Sequence, residues 1–189
     1  MENTSVAPIY KNIKNFILYS ELLDEWINGW VNIDYIEEDD KTVSYMTEVK
    51  DIFSPHYILE PSSNYINGSY TFSVYAKAGE RKYINLSSTK FNVFNIDAVF
   101  DLENGVALGD GYIEDIGDGW YRCAITSEII SPAPFNLAIQ ILDDNMNDEY
   151  VGEKNKGLYL YGAQFEESET PDHDTPPQPY VKTFGYAED

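Results

Sequence analysis

The sequence predicts an all-β protein built as an antiparallel β-sandwich. Three observations carry that reading. Apolar and polar residues alternate in one short segment after another. The clearest case is Tyr70-Thr71-Phe72-Ser73-Val74-Tyr75-Ala76-Lys77, with Tyr70, Phe72, Val74 and Ala76 on one side and Thr71, Ser73, Tyr75 and Lys77 on the other. Turn formers separate the segments, notably Asn104-Gly105 and Gly117-Asp118-Gly119, where positive φ comes at low cost. The chain is also rich in rings, with 16 Tyr, 9 Phe and 3 Trp, which suit the covering of pleated sheets.

Taken in order, Phe16-Ile17-Leu18-Tyr19 reads as a first strand. Ser20 to Trp26 is acidic and turn-like, with room for one helical turn capped by Ser20. Trp30 to Ile36 alternates, with Val31, Ile33 and Tyr35 on one side; Glu37-Glu38-Asp39-Asp40 then turns, and Thr42 to Val49 closes a hairpin. Asp51 to Tyr65 carries Pro55, Pro61 and Ser62-Ser63 and reads as loop around a short strand at Tyr57-Ile58-Leu59. After the strand Tyr70 to Lys77, Ala78-Gly79-Glu80 turns and Arg81 to Ser87 leads back. Phe91 to Leu102, Ala107 to Glu114 and Trp120 to Thr126 follow as strands joined by the glycine turns. Ser131-Pro132-Ala133-Pro134 breaks the chain, Leu137 to Ile141 alternates, Asp143 to Lys156 is a polar loop, and Leu158 to Phe165 is the last strand. Glu166 to Pro179 is acidic, Pro-rich and extended.

A chain of 189 residues supports one domain with a substantial core. The boundaries read as an arm at 1–14, the sandwich at 15–167, and a Pro-rich acidic segment at 168–189 that returns to it. The net charge of −21 sets up a field that repels DNA, RNA and anionic lipid, so no nucleic-acid and no membrane partner is expected. Cys123 is the single cysteine and lies in a strand, which fits a buried structural thiol and excludes an intrachain disulfide. No basic segment followed by an apolar run opens the chain, so synthesis in a cytoplasm without a signal peptide is expected. The triplets at Asn3, Asn67 and Asn85 read as chance matches to a glycosylation motif.

Several of these segments, in order, carry a resemblance. Asn15-Phe16-Ile17-Leu18-Tyr19-Ser20-Glu21, followed by Trp26 or Trp30, resembles an opening strand of the form Asn-Leu-Leu-x-Tyr-Ser-Glu. Tyr70 to Gly79, Phe100-Asp101-Leu102-Glu103-Asn104-Gly105, Gly117 to Ile125 and Tyr161-Gly162-Ala163-Gln164-Phe165-Glu166 match a central strand, a hairpin, a Gly-Trp-Tyr-Arg strand and a closing strand. Pro179-Tyr180-Val181-Lys182-Thr183 is similar to a terminal Ser-Tyr-Ile-Pro-Thr, with Lys182 in place of its proline. Together, over roughly residues 15 to 185, the chain resembles the jelly-roll, carbohydrate-binding-like domain of tailed-bacteriophage virion proteins, which is similar to family four and nine carbohydrate-binding modules.

The resemblance implies a jelly roll, a virion location and other virion proteins as partners, in multiple copies or as a homo-oligomer. It implies a decoration or fibre subunit without catalysis, or a host-surface adhesin that binds glycans. A sugar site needs rings to stack on pyranose faces, and Trp26, Trp30, Tyr57, Tyr75 and Tyr83 are the candidates, whereas Trp120 reads as core. Related jelly rolls often hold one structural calcium ion, for which Glu21 and Glu166 are the candidate ligands across the sandwich. No other cofactor is expected. Asp143 to Asp148 looks like a calcium loop, but Asp148 stands where glycine is needed and Lys154 where the bidentate glutamate belongs.

A glycan-degrading enzyme has no motif behind it. His56 and His173 are the only histidines, neither neighbours a recognised nucleophile motif, and 33 acidic residues guarantee carboxylate pairs by composition alone.

Overall fold

A computed structural model of the chain describes residues 14–38, 41–61, 65–90 and 93–185. The expected arm at 1–14 lies outside these apart from Lys14, as do Asp39 and Asp40 of the acidic turn, Ser62-Ser63 and the start of the run at Phe91.

Among the described residues fourteen strands form: β1 (Ile27–Gly29), β2 (Val31–Glu38), β3 (Lys41–Glu48), β4 (Phe53–Ser54), β5 (His56–Leu59), β6 (Gly68–Ala78), β7 (Tyr83–Ser88), β8 (Asp97–Asp101), β9 (Val106–Leu108), β10 (Tyr112–Gly117), β11 (Trp120–Ile129), β12 (Leu137–Leu142), β13 (Tyr150–Val151) and β14 (Gly157–Glu167). Two six-stranded antiparallel sheets result, β1-β5-β12-β7-β8-β9 and β10-β11-β6-β14-β3-β2, with β13-β4 as a small ribbon. The fold is an antiparallel β-sandwich of jelly-roll type.

Alternation decides what is inside. Phe72, Val74 and Ala76 of β6 meet Ile84 and Leu86 of β7, Ile139 and Ile141 of β12, Phe100 of β8 and Phe165 of β14, all buried in one contiguous core. A ring cluster fills one end: Tyr70 stacks on Phe165 at 5.1 Å and Phe94 on Phe135 at 5.8 Å.

Four expectations change. Phe16 to Tyr19 forms no strand of its own; Tyr19 makes a single bridge to Phe184. The turn before Trp26 is a 3-10 turn at Leu23–Glu25, and Ser20 does not cap it. Its hydroxyl instead meets Tyr180 Oη at 2.7 Å and accepts the Thr183 N–H at 2.9 Å. Glu37 and Glu38 stay in β2, paired with Thr42 and Lys41. The run Ala107 to Glu114 is two strands in different sheets: β9 pairs β8 and β10 pairs β11, with the chain crossing over at Gly109 to Gly111.

Beyond β14 the Pro-rich segment runs back over the outer side of the second sheet, and Thr183 Oγ1 donates to the Ile17 carbonyl at 2.6 Å. Among the described residues no helix is long and apolar enough to cross a membrane.

Candidate functional site

β5 lies between β1 and β12, and its register places Tyr57 opposite Gly29 on one side and Gln140 on the other. His56 and Ile58 are fully buried, so Tyr57 and Leu59 take the outer face beside Gln140 and Ala138. These side chains, with Pro55, floor an open cleft of about 270 Å³, and Asp148 and Glu149 stand on its rim.

The Tyr57 ring lies across Gly29. A Cβ at Gly29 would sit 2.4 Å from Tyr57 Cζ, so only glycine leaves room for the ring to lie down on its neighbour strand. One face is thus taken by backbone. Among the described residues no second ring and no cation covers the other, and Tyr57 is half-buried in the cleft.

The rim is fixed in place. Gln140 Nε2 donates to the Asp148 carbonyl at 2.8 Å, tying loop to floor. Asp143 Oδ1 accepts the N–H groups of Asn145 and Asn147, both at 2.8 Å. Burial pushes the Asp143 carboxyl upward, but the bonds from Asn147 and Asn145 outweigh it and hold the group below its ordinary value. That carboxylate is spent on its own loop. Further along, β13 pairs with β4, and Tyr150 Oη donates to Glu48 Oε1 at 2.9 Å. Glu48 is buried and paired with Arg81, which also reaches Asp144 at 3.1 Å and Glu153 at 3.2 Å.

No family model matches this sequence, and no curated protein does. Among solved structures the fold is similar to a carbohydrate-binding module from Cellvibrio mixtus lichenase 5A in complex with cellotriose, at 7% identity, over 82% of this chain and 100% of that one, with a TM-score of 0.46.

Of the five candidate rings, Tyr57 floors the cleft and Trp30, 51% exposed, follows the glycine beneath it. The other three sit elsewhere. Trp26 is a correction: it is core, 3% exposed, and its indole N–H donates to the Tyr19 carbonyl at 3.2 Å. Tyr75 is on the outer side of the second sheet, but its faces are occupied. Tyr161 of β14 stacks on it at 4.5 Å, and the Arg122 guanidinium of β11 lies over it from the opposite strand, 5.2 Å from the ring centre. Tyr83 is on the outer side of β7 with Lys82 over its ring at 5.3 Å. Trp120 is buried as expected, 7% exposed, on the outer side of β11 beneath Lys41 and Lys77 at 5.0 and 5.9 Å.

Glu21 and Glu166 each have their own set of protein donors. Glu21 accepts from Lys182 Nζ at 2.5 Å, from the Thr42 N–H at 3.0 Å and from Tyr180 Oη at 3.2 Å. Glu166 accepts from Gln164 Nε2 at 2.6 Å and from the Gln178 N–H at 2.7 Å. The one close set of ligand atoms among the described residues is Asp172, His173 and Asp174, three consecutive residues on the surface. Nearby, a hollow of about 490 Å³ touches Asp97, Asp110, Glu128 and His173 and contains no aromatic ring but that imidazole.

Cys123 is fully buried and burial pushes its thiol up, away from a reactive thiolate. His56 bonds the Trp30 carbonyl through Nδ1 at 2.7 Å and is also fully buried. Gln140, Asp148 and Glu149 of the lining, and Gly29 beneath Tyr57, were not among the residues expected from sequence to contact sugar. Their signal is the β1-β5-β12 register, which links segments far apart in the chain.

Proposed function

We propose that the chain is a non-catalytic glycan-binding protein of a bacteriophage virion surface, holding sugar on Tyr57. The carrying observation is a tyrosine ring backed by a glycine strand and open to a shallow cleft. A pyranose offers an apolar C–H face that packs on such a ring, while the Gln140 amide and the Asp148 and Glu149 carboxylates supply groups for the hydroxyls around it. One ring in an open cleft binds weakly. Copies displayed together on a particle raise the effective strength by about 10²–10⁴. The virion setting is supported by the order of the sequence motifs.

The test is a glycan array of the isolated protein beside Tyr57→Ala. Binding to one sugar class should fall about tenfold or more in the variant while its melting temperature stays near that of the parent. An array without any binder, or binding indifferent to Tyr57→Ala, would overturn the reading. Mass spectrometry of purified particles tests the virion setting.

A docking role has one observation of its own. Phe53 and Val151 face each other across the β4–β13 ribbon, 67% and 54% exposed, as an apolar contact for another virion protein.

A further inference from the structure

We infer that the open edge of β2 is a docking site for an extended, basic segment of a partner protein, which joins the second sheet as one more strand. The inference is independent of the glycan reading at Tyr57 and of the β4–β13 ribbon. β2 ends its sheet. It pairs with β3 along all 8 residues without a register shift, and no strand among the described residues lies on its other side.

The pairing shows which backbone groups face outward. The Glu48 N–H of β3 donates to the Lys156 carbonyl at 3.0 Å, on the β14 side and away from β2. Val31 stands opposite Glu48 and so points away from β3, because facing residues of an antiparallel pair exchange both bonds or neither. Asn28 agrees with this. Its Nδ2 donates to the Val31 carbonyl at 2.7 Å and its Oδ1 accepts the Val31 N–H at 3.1 Å, as a neighbouring strand would. By alternation the N–H and carbonyl groups of Ile33, Tyr35 and Glu37 face the same way. Among the described residues nothing bonds them there.

Folds usually blunt such an edge. The other edges of the two sheets are blunted: β1 and β9 have 3 residues each, and β10 shifts register between Asp115 and Gly117. β2 has neither device. It carries Asp34, Glu37 and Glu38, with no Lys or Arg, and Asp39-Asp40 follow in sequence. Lys41 reaches Glu38 at 3.7 Å, whereas Asp34 and Glu37 pair with no cation among the described residues.

Those charges choose the occupant. A second copy would bring another acidic edge and another −21, so copies repel. A strand with Lys or Arg beside Asp34 and Glu38 meets opposite charge, and its side-chain stems can cover Ile36, 41% exposed between them. The other row of β2 asks for apolar neighbours. Val31 is core, Ile33 packs against the core, and Tyr35, 37% exposed, extends the row past it. The Asp24 N–H donates to Tyr35 Oη at 3.0 Å and fixes that ring. The fitting partner therefore alternates apolar with basic residues, and main-chain bonds supply the rest.

The probe is a labelled peptide as long as β2 that alternates lysine with valine, set beside one that alternates glutamate with valine. Fluorescence anisotropy should show the lysine peptide binding about tenfold or more tightly, with affinity falling as salt rises. Hydrogen exchange read by NMR should show new protection at Ile33, Tyr35 and Glu37. Asn32, Asp34 and Ile36, already bonded to β3, should not change. Tyr35→Pro removes one outward N–H and spares the β3 ladder, a position where an edge strand accepts proline. It should weaken binding about tenfold, and Tyr35→Ala, which keeps the N–H, should weaken it less. If the proline variant melts early, the exposed pair Asp34→Lys and Glu37→Lys carries the test by reversing the preference between the two peptides.

No binding of the lysine peptide, or equal affinity for both peptides, overturns the basic partner. Binding that leaves the three amides unprotected overturns strand addition. Protection of those amides in the free protein means that the edge is already filled, and a dimer that Tyr35→Pro dissolves gives the edge to a second copy; either result overturns the inference.

Discussion

The side chain of Gln164 pairs with the backbone of Val181 as a neighbouring strand would, its Oε1 accepting the Val181 N–H at 2.7 Å. Its Nε2 reaches the carbonyls of Gln178 and Pro179, both at 3.3 Å, and Asn15 Nδ2 donates to the Val181 carbonyl at 2.9 Å. Two buried amides thus stand in for a ladder that the Pro-rich return cannot make for itself, since proline lacks the N–H. Gln164→Ala should orphan these groups and cost about 1–3 kcal/mol. Hydrogen exchange is the measurement: the amides of Val181 and Thr183 should lose protection first. Unchanged protection there would mean that the return is held by other contacts.

The register of β1 against β5 makes a second prediction. An alanine methyl at Gly29 would collide with the Tyr57 ring at 2.4 Å. Gly29→Ala should tilt the ring, weaken glycan binding about tenfold and cost roughly 1–3 kcal/mol by overpacking. In the Tyr57→Ala background that collision is gone, and most of its cost should go with it. Additive effects in that double-mutant cycle would show that the ring does not lie on the glycine.

Much of this arrangement was readable in the chain, for a definite reason. Period-two alternation survives any tertiary context in which one face is buried, so Tyr70 to Lys77 and Leu137 to Ile141 appear with the faces they were given. The same property misled at Ala107 to Glu114. Two strands that each alternate look like one, and only the crossing at Gly109 to Gly111 separates them. Single rings were harder. Trp26 looks like an exposed loop residue until β1 pairs with β5 and draws it into the core. The Tyr57 cleft needed three strands in register before its glycine and amide came together.

The Glu48–Arg81 pair connects stability to the rim of the cleft. Both side chains are nearly sealed from water, at 0% and 3% exposure, and Arg81 fans out to Asp144 and Glu153 of the rim loop. Arg81→Leu would strand a buried carboxylate beside Tyr150. It should cost about 3–5 kcal/mol, well above what an exposed ion pair would cost. The loop carrying Asp148 and Glu149 should loosen with it, so glycan affinity should drop even below the melting transition. Thermal unfolding and calorimetry at one temperature separate the two effects. A loss under about 1 kcal/mol would place the pair among surface ion pairs.

Glu60 sets the pH dependence. It sits at the end of β5, 4% exposed, behind the strand whose outer side carries Tyr57 and Leu59, and its Oε2 has no hydrogen-bond partner among the described residues. Burial pushes its carboxyl up from 4.5 to about 8. The folded state therefore holds the proton more tightly than the unfolded chain does. Below about pH 4.5 both states are protonated and Glu60 costs nothing. As pH rises toward 8 the unfolded chain ionises freely while the folded one resists, so stability falls, and the loss levels off once the folded carboxyl ionises as well. The full penalty is on the order of a few kcal/mol. Glu60→Gln removes the titration. Its melting temperature should match or trail that of the parent at pH 4.5 and exceed it increasingly up to pH 8. Taking the difference between the two proteins cancels the repulsion among the other carboxylates, which both share. Parallel melting curves across that range would mean that Glu60 reaches water or a partner, and that its burial carries no electrostatic cost.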